Sequence, residues 1–389
     1  MPRTAFASTY SPRRCGIATF THDLATAVGD REIVALNPPD EAGAYPPEVR
    51  HRIRRDVLGD YMTAARRLND GGADVISIQH EYGIWGGQDG EYVLDFVRAL
   101  ERPAVATLHT VLRNPTPHQR QVLIRLVGAS TASVVMSRSA ADLLTRVYGV
   151  DPRRVDVIPH GVPELPLVHA DSVKPQLGIQ GGPVILSFGL LGPGKGIESV
   201  IAAMPAVLSA VPTARFVVLG ATHPDLLRRE GEAYRRGLQE RAAAFGVAGS
   251  VMFVDRFVAK AELGAWLTAA DIFVTPYPNL DQIVSGTLAY AMSAGRAIVS
   301  TPYAYATELL GHGRGRLVEP GSPAALASAF VELLSDPEQR LAHGRLAYMY
   351  TRSMVWPQVG AQYRRLFERV ATNAVVRVED VDSMNALRA

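Results

Sequence analysis

The chain has 389 residues, 47% of them hydrophobic and 20% charged, which suits a soluble globular protein of two or three domains with sizeable cores. Forty Lys and Arg against 38 Asp and Glu leave a formal charge of +2, so no electrostatic footprint for nucleic acid is expected. A single cysteine, Cys15, excludes an internal disulfide framework and a cysteine-based zinc cluster. With no apolar run long enough to span a bilayer and no secretory signal, the expected location is cytoplasmic; peripheral membrane contact and oligomeric state stay open.

In chain order, short apolar runs alternate with helical patterns. The predicted strands of the first half are Thr4–Ser8, Glu32–Leu36, Asp74–Gln79, Ala104–Leu108, Ala132–Met136 and Val155–Ile158. Helical stretches fall between them at Asp60–Leu68, Glu91–Leu100, His118–Val127 and Ala140–Val147. A Pro- and Gly-rich stretch across 162–182 then breaks the rhythm and reads as a hinge. The second half gives strands at Val184–Phe188, Arg215–Leu219, Val251–Val254, Ile272–Thr275, Ala297–Ser300 and Gly315–Val318. Helices follow at Ala324–Leu334, Glu338–Met349 and Pro357–Val370. The expected fold class is α/β, with two doubly wound parallel-sheet, Rossmann-like domains facing a deep cleft. The expected bounds are 1–165 for the first domain and 166–355 for the second, then a helix over 356–372 that returns to the first, and a loose tail over 373–389.

Open parallel sheets bind ligands beyond the carboxyl ends of their strands, so the loops after strands are the candidates for chemistry. After the first strand, Arg14 and Gly16 stand before a helix, where backbone N–H groups and a guanidinium can meet a phosphate; an ordinary surface turn is the bland alternative. After the third predicted strand comes QHEYGIWGG. Here His80 and Glu81 are candidates for acid–base work or hydroxyl binding, and Tyr82 and Trp85 offer flat faces to a sugar ring. The alternative is a buried histidine at a strand end. His109 and His160 end two further strands, and each reads either as a ligand contact or as a structural turn.

The second half is richer. Gly189, Gly192, Gly194 and Gly196 surround Lys195 between a strand and a helix, which suits a phosphate-binding turn. The spacing matches neither a Walker A loop nor a dinucleotide fingerprint. Arg256 is expected to supply a second cation, and Gly220–His223 to line the same site. In QIVSGTLAYA, Ser285 reads as a helix cap or, with Gly286, Thr287 and Leu288, as an anion site at a helix N-terminus. Asp281 and Gln282 are candidates for hydroxyl contacts, and Thr301–Glu308 for aromatic surface and a carboxylate. Lys195, Arg256 and Ser285–Thr287 are all expected on one rim of one sheet.

These residues carry a resemblance to the retaining family 4 glycosyltransferases of GT-B fold, as a distinct bacterial subgroup. It rests on Cys15-Gly16-Ile17, His109, Val157–Val162, Gly194-Lys195-Gly196, the Ser285–Ala291 helix start and the closing helix near Trp356–Phe367. The resemblance implies an acceptor-binding first domain and a donor- and phosphate-binding second. It implies a UDP- or GDP-sugar donor, a carbohydrate acceptor and no metal requirement. It puts Gly16 near the donor phosphate, His109 near the transferred sugar, Lys195 on the diphosphate, and the amides of Ser285–Leu288 on the distal phosphate. It implies a transferase of the hexosyl class acting by front-face departure with retention. Two features depart from the family pattern. Leu190 stands where an arginine is usual, and Gln282 and Tyr290 stand where a pair of glutamates is usual. Those departures keep two alternatives in view: a glycoside phosphorylase using inorganic phosphate in the same pocket, and a non-catalytic sugar or nucleotide binder.

Overall fold

The computed structural model describes residues 1–29, 32–38 and 44–386, with side chains described as far as residue 373. The chain divides into two units. The first comprises Met1–Gly161 and the chain from Trp356 onward; the second is Val162–Val355.

In the first unit the elements run β1 (Thr4–Ser8), α1 (Gly16–Val28), β2 (Glu32–Asn37), β3 (Val49–Arg54), α2 (Leu58–Asp70), β4 (Val75–His80), α3 (Tyr92–Arg98), β5 (Ala104–Leu108), α4 (Pro117–Ala129), β6 (Ala132–Val135), α5 (Arg138–Tyr148) and β7 (Val155–Val157). The strands form one wholly parallel sheet of order β3-β2-β1-β4-β5-β6-β7. β1 and β4 are buried along their whole length, as strands covered on both faces require. β3 is the one strand that the apolar pattern does not announce. Its sequence VRHRIR buries only Ile53, because it is the sheet edge and carries arginines toward solvent.

The second unit contains β8 (Val184–Phe188), α6 (Ile197–Ala210), β9 (Arg215–Leu219), α7 (Pro224–Glu230), α8 (Ala233–Ala244), β10 (Val251–Val254), α9 (Lys260–Ala269), β11 (Ile272–Thr275), α10 (Gly286–Ser293), β12 (Ala297–Ser300), α11 (Ala304–Leu310), β13 (Arg316–Leu317), α12 (Pro323–Ser335) and α13 (Pro337–Thr351). Its parallel sheet has the order β10-β9-β8-β11-β12-β13. Separate apolar layers, one around Phe273 and Leu288 and the other around Val200 and Phe216, fill its two faces. In each sheet the winding direction reverses once, between β1 and β4 and between β8 and β11. Open α/β sheets bind ligands at such reversals.

The stretch 162–182 belongs to the second unit rather than forming a free hinge. Its glycines and prolines remove periodicity, but its backbone is held. Val162 N–H donates to Met354 O at 2.9 Å, and Arg296 Nη2 donates to Val168 O at 2.9 Å. Buried Lys174 pairs with buried Asp271 at 2.7 Å and donates to Gly182 O at 2.9 Å. The unit therefore starts at Val162, four residues before the expected bound.

α14 (Trp356–Ala386) begins where the closing helix is expected and is assigned to the first unit. It buries Val359, Tyr363, Leu366, Phe367 and Val370, a helical stripe. Within the first unit it lies so close to α1 that a Cβ on Gly360 would sit 2.6 Å from Ala27 O. The expected loose tail instead continues this helix as far as Ala386; residues 387–389 lie outside the described residues.

Candidate active site

In the second unit the Gly-Lys-Gly turn leaves β8 and enters α6. Gly196 has φ +67°, and a Cβ there would lie 2.0 Å from Pro276 O, so only glycine lets the turn press against the end of β11. That contact sets Lys195 over the Tyr277 ring, with its ammonium 4.7 Å from the centroid. The Tyr277 hydroxyl meets Thr287 Oγ1 at 2.9 Å, and Thr287 Oγ1 meets Ser285 Oγ at 3.0 Å. Lys195 and the start of α10 are thus joined through one tyrosine. Ser285 caps the helix as well, its Oγ accepting from Leu288 N–H at 3.3 Å. Gly286 and Thr287, the first helical residues, keep amides for which the helix supplies no carbonyl, at the positive end of its dipole.

A buried hydroxyl network braces this rim. Tyr303 stacks on Tyr277 at 5.2 Å and donates to Thr275 Oγ1 at 3.2 Å. Thr275 donates to Ser300 Oγ at 2.9 Å, and Thr301 donates to Tyr277 O at 2.6 Å. Burial pushes the Tyr303 hydroxyl well above the ordinary tyrosine range, so it stays protonated. Tyr277 and Tyr303 were legible as a repeat: Thr-Pro-Tyr stands at 275–277 and again at 301–303, at the ends of adjacent strands. The aromatic surface expected over 301–308 is core instead, because Tyr303 and Tyr305 face into the unit with no exposure.

Arg256, expected as a second cation, is paired in the structure. Both of its terminal nitrogens fork onto Glu262 at the start of α9, and the contact raises its already high pKa. Its charge is matched by the carboxylate six residues further along the chain. Gln282 ties its amide to Val284 O at 2.9 Å, and Asp281 N–H is taken by Asn279 Oδ1 at 3.0 Å, so both shape the turn before α10. Tyr290 packs toward Phe188, 6.5 Å between centroids, and is partly buried.

In the first unit His109 ends β5 with 8% exposure. Its Nε2 meets Gln79 Oε1 at 2.9 Å, and Gln79 Nε2 donates to Ser77 Oγ at 3.2 Å. The amide orientation makes His109 Nε2 the N–H donor, which leaves Nδ1 as an acceptor. Burial, with His160 and His80 nearby, lowers its pKa to about 3, so the ring is neutral at physiological pH. Phe20 stands edge-on to His109 at 4.8 Å, to His160 at 5.1 Å and to Trp356 at 5.3 Å, fixing the three rings. His160 donates through Nδ1 to Gly161 O at 2.7 Å, and burial lowers its pKa to about 4. Glu81 accepts from the Thr110 hydroxyl; burial raises its pKa, opposed by that bond and by the amides of Gly83 and Tyr82. Gly16 opens α1 with open space around it, behind the Cys15 cap, and Arg14 is exposed beside it.

Three expected contacts do not face solvent. His80 has no exposure, and burial lowers its pKa to about 3. Trp85 is 2% exposed, donates through Nε1 to Gln79 O at 2.9 Å and packs against Tyr61 and Phe96. Tyr82 is 9% exposed, edge-on to His80. The glycines around them fold the loop inward: a Cβ on Gly86 would lie 1.9 Å from Arg55 O. These side chains are core beneath the site and offer no face to a sugar. Gln79 in β4 and Phe20 in α1 fix the His109 ring, and Thr110 in the loop after β5 holds Glu81. Among the described residues, no group of three or more His, Cys, Asp and Glu is placed to hold a metal ion, and no helix is long and apolar enough to cross a membrane.

A family model for glycosyltransferase family 4 matches residues 15–164, and one for glycosyl transferases group 1 matches residues 182–336. The chain belongs to the family 4 glycosyltransferases. Among curated proteins, this glycosyltransferase is 29% identical over 289 residues to phosphatidyl-myo-inositol mannosyltransferase of Propionibacterium freudenreichii, covering 71% of this chain and 68% of the relative. It is 27% identical over 301 residues to D-inositol 3-phosphate glycosyltransferase of Segniliparus rotundus, covering 72% and 63%. It spans about two thirds of the length of these relatives.

In fold the glycosyltransferase is similar to sucrose-phosphate synthase of Thermosynechococcus elongatus, with TM-score 0.77 at 17% identity over 96% of this chain and 100% of that one. It is also similar to Anabaena HepE, solved with UDP and glucose, with TM-score 0.75 at 15% identity over 94% and 100%. Its architecture is GT-B, built from two parallel-sheet α/β domains.

Proposed function

We propose that this glycosyltransferase moves a sugar from a UDP- or GDP-sugar to a carbohydrate or polyol acceptor, with retention of configuration. The observation that carries the reading is the link from Lys195 through Tyr277 to Thr287 and Ser285, which gathers an ammonium and the first amides of α10 around one rim. A departing diphosphate gains negative charge as the glycosidic bond breaks. Preorganised cations and amides stabilise that charge more in the transition state than in the ground state. The acceptor hydroxyl then bonds to the anomeric carbon on the face the diphosphate leaves, and its proton passes to a leaving phosphate oxygen. His109, neutral, accepts a sugar hydroxyl at Nδ1. Glu81, His160, Arg14 and Asp281 serve the sugar and acceptor side, and Gly16 lets the donor phosphate approach the α1 backbone. The relatives' names, an inositol-lipid mannosyltransferase and an inositol-phosphate glycosyltransferase, support a polyol acceptor. HepE, solved with UDP, supports a nucleotide donor.

One observation favours a second reading. Tyr290 lies where the family resemblance implies a ribose-binding carboxylate, and its ring packs toward Phe188 instead. A phosphorylase would need no ribose contact and would place inorganic phosphate at the same amides. A panel of nucleotide sugars with sugar and inositol acceptors, run beside a panel of disaccharides with phosphate, separates the two. Release of nucleoside diphosphate supports the transferase. Release of sugar phosphate alone overturns it in favour of the phosphorylase, and binding without product overturns both.

A further inference from the structure

The family reading needs a second positive charge beside Lys195, and Arg256 is committed to Glu262. The Gly-Lys-Gly turn lines a pocket of about 640 Å³, within the range of small-molecule sites. One wall is Leu190 to Lys195 and the other is the segment from His223 to Arg229. The charges that line it do not cancel. Three cations, Lys195, Arg228 and Arg229, line it with the single carboxylate of Asp225, so the lining is net positive. Arg228 is held by Asp225, whereas the Arg229 guanidinium has no hydrogen-bond or ion-pair partner among the described residues. The carboxylate of Glu232 nearby is taken by Thr222, at 2.6 Å, and by Arg235, at 3.2 Å.

The two walls are built as one piece. Leu191 N–H donates to Ala221 O and His223 N–H donates to Leu191 O, each at 2.9 Å, a short ladder that fixes the spacing between them. Buried Arg235 clamps the second wall from behind through Gly220 O at 2.9 Å, Thr222 Oγ1 at 3.2 Å and Asp255 at 2.6 Å. Two unneutralised cations on a preorganised frame with no matching anion suit a doubly charged oxyanion.

We propose that Arg229 is the second cation of the Lys195 oxyanion site and contacts the diphosphate of the donor across this pocket. The inference rests on the reading of Lys195 given above and names the group that completes it. Calorimetric titration of the full chain with inorganic pyrophosphate, UDP and glucose 6-phosphate tests it. Arg229→Met is expected to weaken pyrophosphate and UDP by at least tenfold without lowering the melting temperature. Arg229→Lys is expected to recover part of the loss, and Arg125→Met, on the exposed side of α4, to bind as the parent does. Unchanged pyrophosphate binding by Arg229→Met overturns the proposal, and nucleotide-sugar turnover would then stand on Lys195 alone. A tenfold loss in Arg256→Met with none in Arg229→Met overturns it in favour of the other arginine. A loss confined to glucose 6-phosphate overturns it too, since the pocket would then serve a phosphorylated acceptor. Arg229-dependent pyrophosphate binding with no nucleotide-sugar turnover supports the inference and instead sinks the donor assignment.

Discussion

At the scale of the residue, charge placement decides function. Lys195 spends its ammonium on a ring face rather than a carboxylate, so it can still meet an anion. Lys195→Ala is expected to lower turnover at least tenfold, about 1.4 kcal/mol of barrier, measured as nucleoside diphosphate release. Near-parental rates would remove it from the leaving-group role. His80, His109 and His160 make a second prediction. Burial holds their pKa values at about 3, 3 and 4 against an ordinary 6.5. The unfolded chain therefore takes up protons that the folded chain refuses. Stability is full above pH 6.5 and falls as the pH drops toward 4. Each histidine costs roughly 2 kcal/mol by pH 5. Glu81, raised by burial, works in the opposite sense, but it is one group against three. Urea unfolding at pH 7.5 and pH 5 should show a clear loss at pH 5; equal midpoints would contradict the neutral, buried state of these rings.

At the scale of the element, apolar runs were legible and hydrogen-bonded irregular chain was not. Most predicted strands of both halves fall on observed ones, because a strand buried on both faces must be apolar throughout. β3 escaped because an edge strand is free to be basic. The 162–182 stretch read as a hinge because side chains from far away, Arg296 and Asp271, satisfy it, and no local pattern records that. Lys174→Ala tests the point. It strands the Asp271 carboxylate in the interior, with Arg340 3.8 Å away as partial relief. A destabilisation of about 3 kcal/mol is expected by denaturant titration. A loss below about 1 kcal/mol would mean that the segment is only loosely tied. The QHEYGIWGG loop shows the converse error: its aromatic residues look like a sugar platform in sequence, yet they pack under the site because their glycines permit close backbone approach.

At the scale of the molecule, strand order explains why the useful loops are the ones they are. The loops that carry Gly16, Lys195 and Ser285 follow β1, β8 and β11, three of the four strands that flank the winding reversals. That much follows from alternating strands and helices plus the rules of parallel sheets. What sequence could not supply is which cation pairs with which anion. Arg256 and Arg229 look alike in the string, and only the fork onto Glu262 tells them apart. The most direct test is the position of the diphosphate in crystals grown with UDP or GDP. Phosphate oxygens within hydrogen-bond reach of Lys195 Nζ and of the Gly286 and Thr287 amides are the predicted result. A nucleotide bound elsewhere, with Lys195 still resting on Tyr277 and the α10 amides facing only water, would contradict it.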